Sequence, residues 1–188
     1  MILKMLSFSL KILAERNRTG IINRHWKKEV KKLKIMFVCT GNNCRSPMAE
    51  GLLKKKLEEK QIKNIKVYSC GVFAETGDYA SYEAIEALKR YQIDISRHRA
   101  TNIKDAFIEE MDLILCATSS HKQAVLQMYP SLKGKVYTIK EYAQTDKEGK
   151  DIDIRDPMGY GQETYKQCAE ELKSNIETIV EKIENLKE

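Results

Sequence analysis

The sequence predicts an α/β protein: a three-layer, doubly wound, four-stranded parallel sheet with helices on both faces. Three observations carry this. Strand-like and helix-like segments alternate from residue 33 onward. The third strand segment, residues 112–116, is continuous enough to be buried on both faces. Each strand segment is followed by a turn cluster and then a helical pattern, the arrangement of a parallel crossover. Residues 33–38 read as the first strand. Thr40-Gly41-Asn42-Asn43 is a turn cluster. Ser46-Pro47 then reads as a helix start, Ser at the N-cap and Pro at the first helical position. Met48, Leu52, Leu53 and Leu57 follow at helical spacing. Residues 65–69 form a second strand, closed by Gly71. Residues 82–91 are helical, residues 112–116 (Asp-Leu-Ile-Leu-Cys) a third strand, and 119–128 another helix. Residues 135–139 are the fourth strand, and a polar loop runs over 141–157. A long amphipathic helix closes the chain, its apolar stripe running from Tyr165 to Leu186. No repeat and no second domain is visible.

Composition narrows the function classes. The chain has 188 residues, 42% of them hydrophobic and 32% charged, with a net charge of +6. That charge is uneven. Residues 1–34 hold ten basic side chains against two acidic ones, a balance of +8 that leaves −2 for residues 35–188. The chain therefore divides into a basic extension over 1–33 and a domain over 34–188, and the domain has no charge signature for nucleic acid. Residues 2–14 could form an amphipathic helix on an anionic membrane surface, aided by the Lys-rich stretch 27–34. The blander reading of the extension is a dispensable tail. The five cysteines (Cys39, Cys44, Cys70, Cys116, Cys168) are odd in number and scattered, which is no disulfide framework. No Cys pair or Cys/His cluster has zinc spacing, and His25, His98 and His121 lie far apart. The expectation is a reduced, cytoplasmic protein without metal or cofactor.

The first strand–helix crossing carries the chemistry: Cys39-Thr40-Gly41-Asn42-Asn43-Cys44-Arg45-Ser46-Pro47. Peptide N–H groups in a tight loop, followed by a helix N-terminus, make an anion cradle. The same positive field favours the thiolate of a cysteine at the loop's start. Gly41 permits backbone conformations that most residues resist. The planar fork of Arg45 matches two oxygens of a tetrahedral oxyanion. Ser46 can hydrogen-bond the sulfur. A thiolate beneath a bound phosphoryl group is a nucleophile for covalent phosphoryl transfer. Cys39 and Arg45 are thus candidate catalytic residues, with Thr40, Gly41, Asn42, Asn43, Cys44 and Ser46 as the phosphate-binding loop. Such a reaction also needs a proton donor for the leaving group and a base for water. Asp156, aimed by Pro157 at the end of the polar loop, is the candidate. Asp151 and Asp153 compete for the role and read as solvated loop acids.

These residues resemble a known family. The run from Phe37 to Glu50 is similar to the signature of the low-molecular-weight protein tyrosine phosphatases, and the resemblance extends to Ser69-Cys70-Gly71-Val72, Asp112-Leu113-Ile114-Leu115, residues 136–142 and Asp156-Pro157. It covers roughly residues 34–186. His121-Lys122-Gln123, Lys140-Glu141-Tyr142 and Tyr165-Lys166-Gln167 look most like the bacterial protein-arginine phosphatase branch. The resemblance implies a metal-free, two-step hydrolysis of phosphorylated proteins. In it Cys39 is phosphorylated, Arg45 and the loop hold the phosphoryl oxygens, and Asp156 serves as acid and then base. It further implies that Asn42 braces the loop and Ser46 supports the cysteine. Cys44 would either form a protective disulfide with Cys39 on oxidation or simply pack in the loop.

The substrate is less sharply drawn. Phosphotyrosine-directed members usually carry one or two aromatic residues straight after Asp-Pro, whereas Met158 and Gly159 stand here, followed by Tyr160. The arginine-phosphatase branch has Phe at the Met158 position and Thr at the Asn43 position. Asn43 is small and polar like that Thr, and unlike the bulky aliphatic residue of phosphotyrosine enzymes. Phosphoarginine is therefore the expected substrate and phosphotyrosine the alternative. Two remoter classes use similar loops. Arsenate reduction needs a further cysteine pair about seven residues apart, but seven residues after Cys116 stands Gln123. A cysteine phospho-carrier would need neither Arg45 nor an Asp-Pro acid.

Overall fold

A computed structural model describes residues 32–143 and 151–185. The candidate helix over 2–14, most of the Lys-rich stretch and Leu186 lie outside these residues. The strands are β1 (Leu33–Cys39), β2 (Ile65–Gly71), β3 (Leu113–Cys116) and β4 (Val136–Thr138). The helices are α1 (Arg45–Glu59), α2 (Tyr82–Lys89), α3 (Ser119–Met128), α4 (Ile139–Ala143) and α5 (Gln162–Asn185). All four strands are parallel, in the order β2-β1-β3-β4.

Alternation along β1 explains why the sheet is covered on both sides. Ile35 and Phe37 face a core shared with Met48 and Leu53 of α1 and Leu172 and Ile176 of α5. Met36 and Val38 face the opposite way, against Val125 of α3 and Ile103 and Ile108. Those two isoleucines belong to short 3-10 turns, Ile103–Asp105 and Ile108–Glu110. Neither turn is long enough to show a period in the sequence. Each fully buried aliphatic side chain contributes about 1.5–3 kcal/mol.

Local chemistry sets the helix starts, and in two places it departs from expectation. Ser81 and Thr118 cap α2 and α3, accepting from the backbone N–H of Ala84 and His121 (both 3.3 Å). The fourth strand stops at Thr138 rather than Ile139, and the expected loop opens with a helix. Thr138 and Glu141 form a reciprocal capping box: Glu141 N donates to Thr138 Oγ1 (3.1 Å) and Thr138 N donates to Glu141 Oε2 (3.0 Å). The first helix begins at Arg45 with Cys44 at the N-cap, so Ser46 is not the cap and Pro47 is not the first helical residue. The hydroxyl of Ser46 is engaged elsewhere, as described below. Among the described residues, no helix is long and apolar enough to cross a membrane.

The strand order places a functional crevice. The chain leaves β1 toward β2 on one side and β3 toward β4 on the other. The carboxyl ends of β1 and β3 therefore flank the point where the winding reverses, where ligands of such sheets bind. Cys39 ends β1, and Thr118 follows just after β3.

Candidate active site

The loop from Cys39 to Arg45 rests on its neighbours. Val72 N donates to Cys39 O (3.0 Å), Phe73 N to Thr40 O (2.9 Å) and Ser81 N to Asn43 O (2.8 Å). Gly71 is paired with Cys39 across the β1/β2 register. A Cβ on Gly71 would lie 2.4 Å from Thr40 O and 2.8 Å from Asn42 N. Gly71 thus does more than close the strand, because it leaves room for the loop's backbone. Gly71→Ala is expected to cost about 1–3 kcal/mol through this overpacking and to weaken orthovanadate binding. Denaturant unfolding and vanadate inhibition check it, and unchanged values for both would refute it.

Asn42 is the loop's internal brace. Its backbone is left-handed, with φ at 55°, and its fully buried side chain holds it there. Asn42 Nδ2 donates to Ser46 Oγ (2.8 Å) and Ser69 Oγ (2.9 Å), while its Oδ1 accepts from Thr101 N (2.8 Å). His98 Nε2 donates to Asn42 O (2.7 Å). Burial lowers the His98 pKa, against the pull of that hydrogen bond. Ser69 Oγ in turn donates to Glu50 Oε2 (2.5 Å).

Because Ser46 Oγ accepts from Asn42, its own proton is free for Cys39 Sγ at 3.0 Å or Cys70 O at 3.3 Å. A hydroxyl aimed at sulfur stabilises a thiolate. This is also why Ser46 does not cap α1.

Arg45 is buried, with only 5% of its side chain exposed. Its Nη1 donates to Ile154 O (3.3 Å), and its Nη2 to Thr40 Oγ1 (3.4 Å) and Asp156 Oδ2 (2.5 Å). Arg45 Nε is buried with no hydrogen-bond partner. An unpaired buried donor is costly, and one beside a loop of this shape suits an anionic oxygen.

Asp156 reaches the site because its loop is pinned. Ile154 is fully buried, and its N–H donates to Ala117 O (2.7 Å). The two competing acids differ: Asp153 is tied down, whereas Asp151 is a largely solvated loop acid, with 77% of its side chain exposed. Asp153 accepts from Ser119 N (2.6 Å) and Ser119 Oγ (3.2 Å) at the start of α3. Asp151 pairs with Lys140 Nζ (2.8 Å). Among the described residues, Asp156 is the acid of that loop that contacts Arg45.

The remaining thiols have other surroundings. Cys39 and Cys44 are both free. Cys44 Sγ lies 3.3 Å from Tyr165 Oη and 3.4 Å from Ser81 Oγ, and burial raises its pKa. Burial pushes the Cys70 and Cys116 thiols up and takes Cys168 up to about 12. Among the described residues, no group of three or more His, Cys, Asp or Glu side chains is placed to hold a metal ion.

Sequence reasoning brought Cys39, Arg45, Ser46, Asn42 and Asp156 to this place, and Thr40 with them. It did not single out His98, His121, Ser69, Glu50 or Tyr165 as part of the surroundings. Each lies on a separate element, and no local spacing signals it.

A cysteine at the end of a parallel strand, a braced strand-to-helix loop and a buried arginine fork together define a phosphate-handling α/β protein. More particularly, the chain belongs to the low molecular weight phosphotyrosine protein phosphatase family, whose model matches residues 34–188. It is 39% identical over 151 residues to a protein-arginine-phosphatase of Geobacillus stearothermophilus, covering 80% of this chain and 96% of that one. A crystal structure of a low molecular weight protein tyrosine phosphatase from T. tengcongensis superposes with a TM-score of 0.73 at 43% identity, covering 80% of this chain and 99% of that one. An arginine phosphatase mutant, its active-site cysteine replaced by a serine that carries a phosphoryl group, superposes with a TM-score of 0.74 at 36% identity. That match covers 81% of this chain and 96% of the other.

Proposed function

We propose that this protein is a cytoplasmic phosphatase of phosphorylated proteins that prefers phosphoarginine and works through a phosphocysteine at Cys39. The observation that carries the mechanism is the convergence of Cys39 Sγ, Ser46 Oγ, the Arg45 fork and the Asp156 carboxylate on one loop. In the first step the Cys39 thiolate attacks phosphorus, an S–P bond forms, and the bond from phosphorus to the substrate's nitrogen or oxygen breaks. Protonated Asp156 gives its proton to that departing atom. In the second step the Asp156 carboxylate takes a proton from water, whose oxygen attacks phosphorus. The S–P bond breaks, inorganic phosphate leaves, and the thiolate is restored. Arg45 and the loop N–H groups hold the phosphoryl oxygens in both steps, where charge builds up. Ser46 steadies the sulfur as a leaving group in the second. The phosphorylated serine in the relative's active site supports a covalent route.

Substrate preference rests on the similarity to protein-arginine phosphatases and on polar Asn43, half-buried in the loop. A second reading, phosphotyrosine, draws on Tyr160, an exposed ring two residues beyond Met158 with Arg155 5.0 Å from its centroid. Tyrosine phosphatases also stand among the structural relatives. The kcat/KM values for a phosphoarginine peptide and a phosphotyrosine peptide of the same sequence decide between them. A preference of at least about tenfold for phosphoarginine, worth about 1.4 kcal/mol in transition-state binding, is expected. Equal or better turnover of phosphotyrosine refutes it.

A further inference from the structure

We propose that His121 is a positioning residue for phosphoryl transfer, which aims Arg45 through the hydroxyl of Thr40. The inference rests on the phosphocysteine reading above. His121 lies in the first turn of α3 and is 7% exposed. Both ring nitrogens are bonded, each to a threonine. Thr40 Oγ1 lies 2.9 Å from Nε2 and Thr118 Oγ1 2.6 Å from Nδ1.

The proton directions follow from the partners. Thr40 Oγ1 accepts from Arg45 Nη2. A hydroxyl that accepts from a guanidinium has its own proton left to give, and Nε2 takes it if that nitrogen carries none. The imidazole proton then sits on Nδ1 and goes to Thr118 Oγ1, whose hydroxyl donates to Ser120 Oγ (2.8 Å). The chain Arg45 → Thr40 → His121 → Thr118 → Ser120 runs in one direction and needs a neutral ring. Burial, and after it the nearby positive charge of Arg45, lower the His121 pKa to about 4 against the opposing pull of Asp156 and Asp153. A protonated ring would instead point an N–H at Thr40, crowding a second positive group onto the oxygen that already accepts from Arg45.

The same turn of α3 fixes Arg45 from a second side. Ser119 binds Asp153, and Ala117 O accepts from Ile154 N. Ile154 O accepts from Arg45 Nη1. The start of α3 thus holds two of the three acceptors on the guanidinium, and His121 governs the one nearest the loop. Burying an imidazole costs free energy unless its nitrogens are hydrogen-bonded, and both nitrogens of His121 are.

The experiment measures kcat, KM and orthovanadate inhibition for His121→Leu, His121→Gln, Thr40→Val and the His121→Leu/Thr40→Val double variant, with p-nitrophenyl phosphate as substrate. His121→Leu is expected to lower kcat about tenfold and to weaken vanadate by a similar factor, with KM within about twofold, because the transition state leans on Arg45 more than the ground state does. His121→Gln offers Oε1 near the Nε2 position and is expected to keep kcat within about threefold. The double variant is expected to lose no more than the worse single variant. An unaltered kcat in His121→Leu, a loss carried by KM alone, or additive losses in the double variant overturns the proposal. Should His121→Leu not fold, the ¹⁵N spectrum of the native enzyme at neutral pH decides. A non-protonated Nε2 that shifts on vanadate binding is expected, and a protonated Nε2 overturns it. Native turnover of the same ester tests the phosphatase reading separately.

Discussion

Cys39→Ser lowers kcat by at least about 10⁴-fold, on the scale seen when a nucleophile acting in concert with its surroundings is lost. The substitution changes one atom at the carboxyl end of β1, where the side chain is 2% exposed and 3.0 Å from Ser46 Oγ. A serine hydroxyl fits that space, so the sheet, α1 and the loop keep their arrangement. What disappears is a group that ionises readily and attacks as a soft anion. The anion-binding parts remain: the loop N–H groups, the Arg45 fork and the brace through Asn42. Orthophosphate is therefore expected to bind Cys39→Ser within about threefold of the native protein, or more tightly because no thiolate repels it. Steady-state turnover of p-nitrophenyl phosphate and calorimetric titration with phosphate give the two readings. Turnover within about tenfold of native would remove Cys39 from the nucleophile's place. Loss of phosphate binding together with turnover would mean that Cys39 is structural.

The sheet and the loop were legible in the sequence because their signals are local. Within the expected strand 112–116, Leu113-Ile114-Leu115-Cys116 is an unbroken apolar run, and β3 forms over those four residues, all of them buried. The helix expected over residues 119–128 forms with those bounds. Cys39 and Arg45 fall on adjoining elements, so strand, loop and helix start could be read as one unit. What escaped notice is long-range or reciprocal. His98 and His121 reach the loop from 56 and 81 residues away. No pattern around His98 marks it, and the family-like run His121-Lys122-Gln123 does not reveal that its imidazole meets the loop. Ser46 looked like a cap because Ser-Pro is a sound helix start. Its hydroxyl instead meets a sulfur and an amide that only the folded loop brings within reach. Asp151 is solvated as expected, but Asp153 is held by Ser119, and a polar loop hides which of its acids finds such a partner. The start of α4 does carry a local signal, since Thr138 and Glu141 stand three residues apart, the spacing of a capping box.

Asp156→Ala separates proton transfer from anion binding, because the two depend on Asp156 with opposite sign. In the ligand-free site the carboxylate holds Arg45 Nη2 at 2.5 Å, and Met158 N donates to its other oxygen at 3.1 Å. A phosphoryl group that takes the Arg45 fork must displace Asp156 from it. Binding of substrate thus frees the Asp156 carboxyl group from Arg45 to meet the departing atom. Without Asp156, the departing atom leaves unprotonated, and kcat is expected to fall roughly 10²–10⁴-fold. The deficit should grow with leaving-group basicity, larger for phenyl phosphate than for p-nitrophenyl phosphate. Orthovanadate should bind more tightly, since its competitor for Arg45 is gone. Nearly half of the Asp156 side chain is exposed, so solvent screening limits that gain to about threefold. Equal loss on both esters would show that Asp156 is not the proton donor. Weaker vanadate binding would show that the carboxylate orders Arg45 for the anion instead of competing with it.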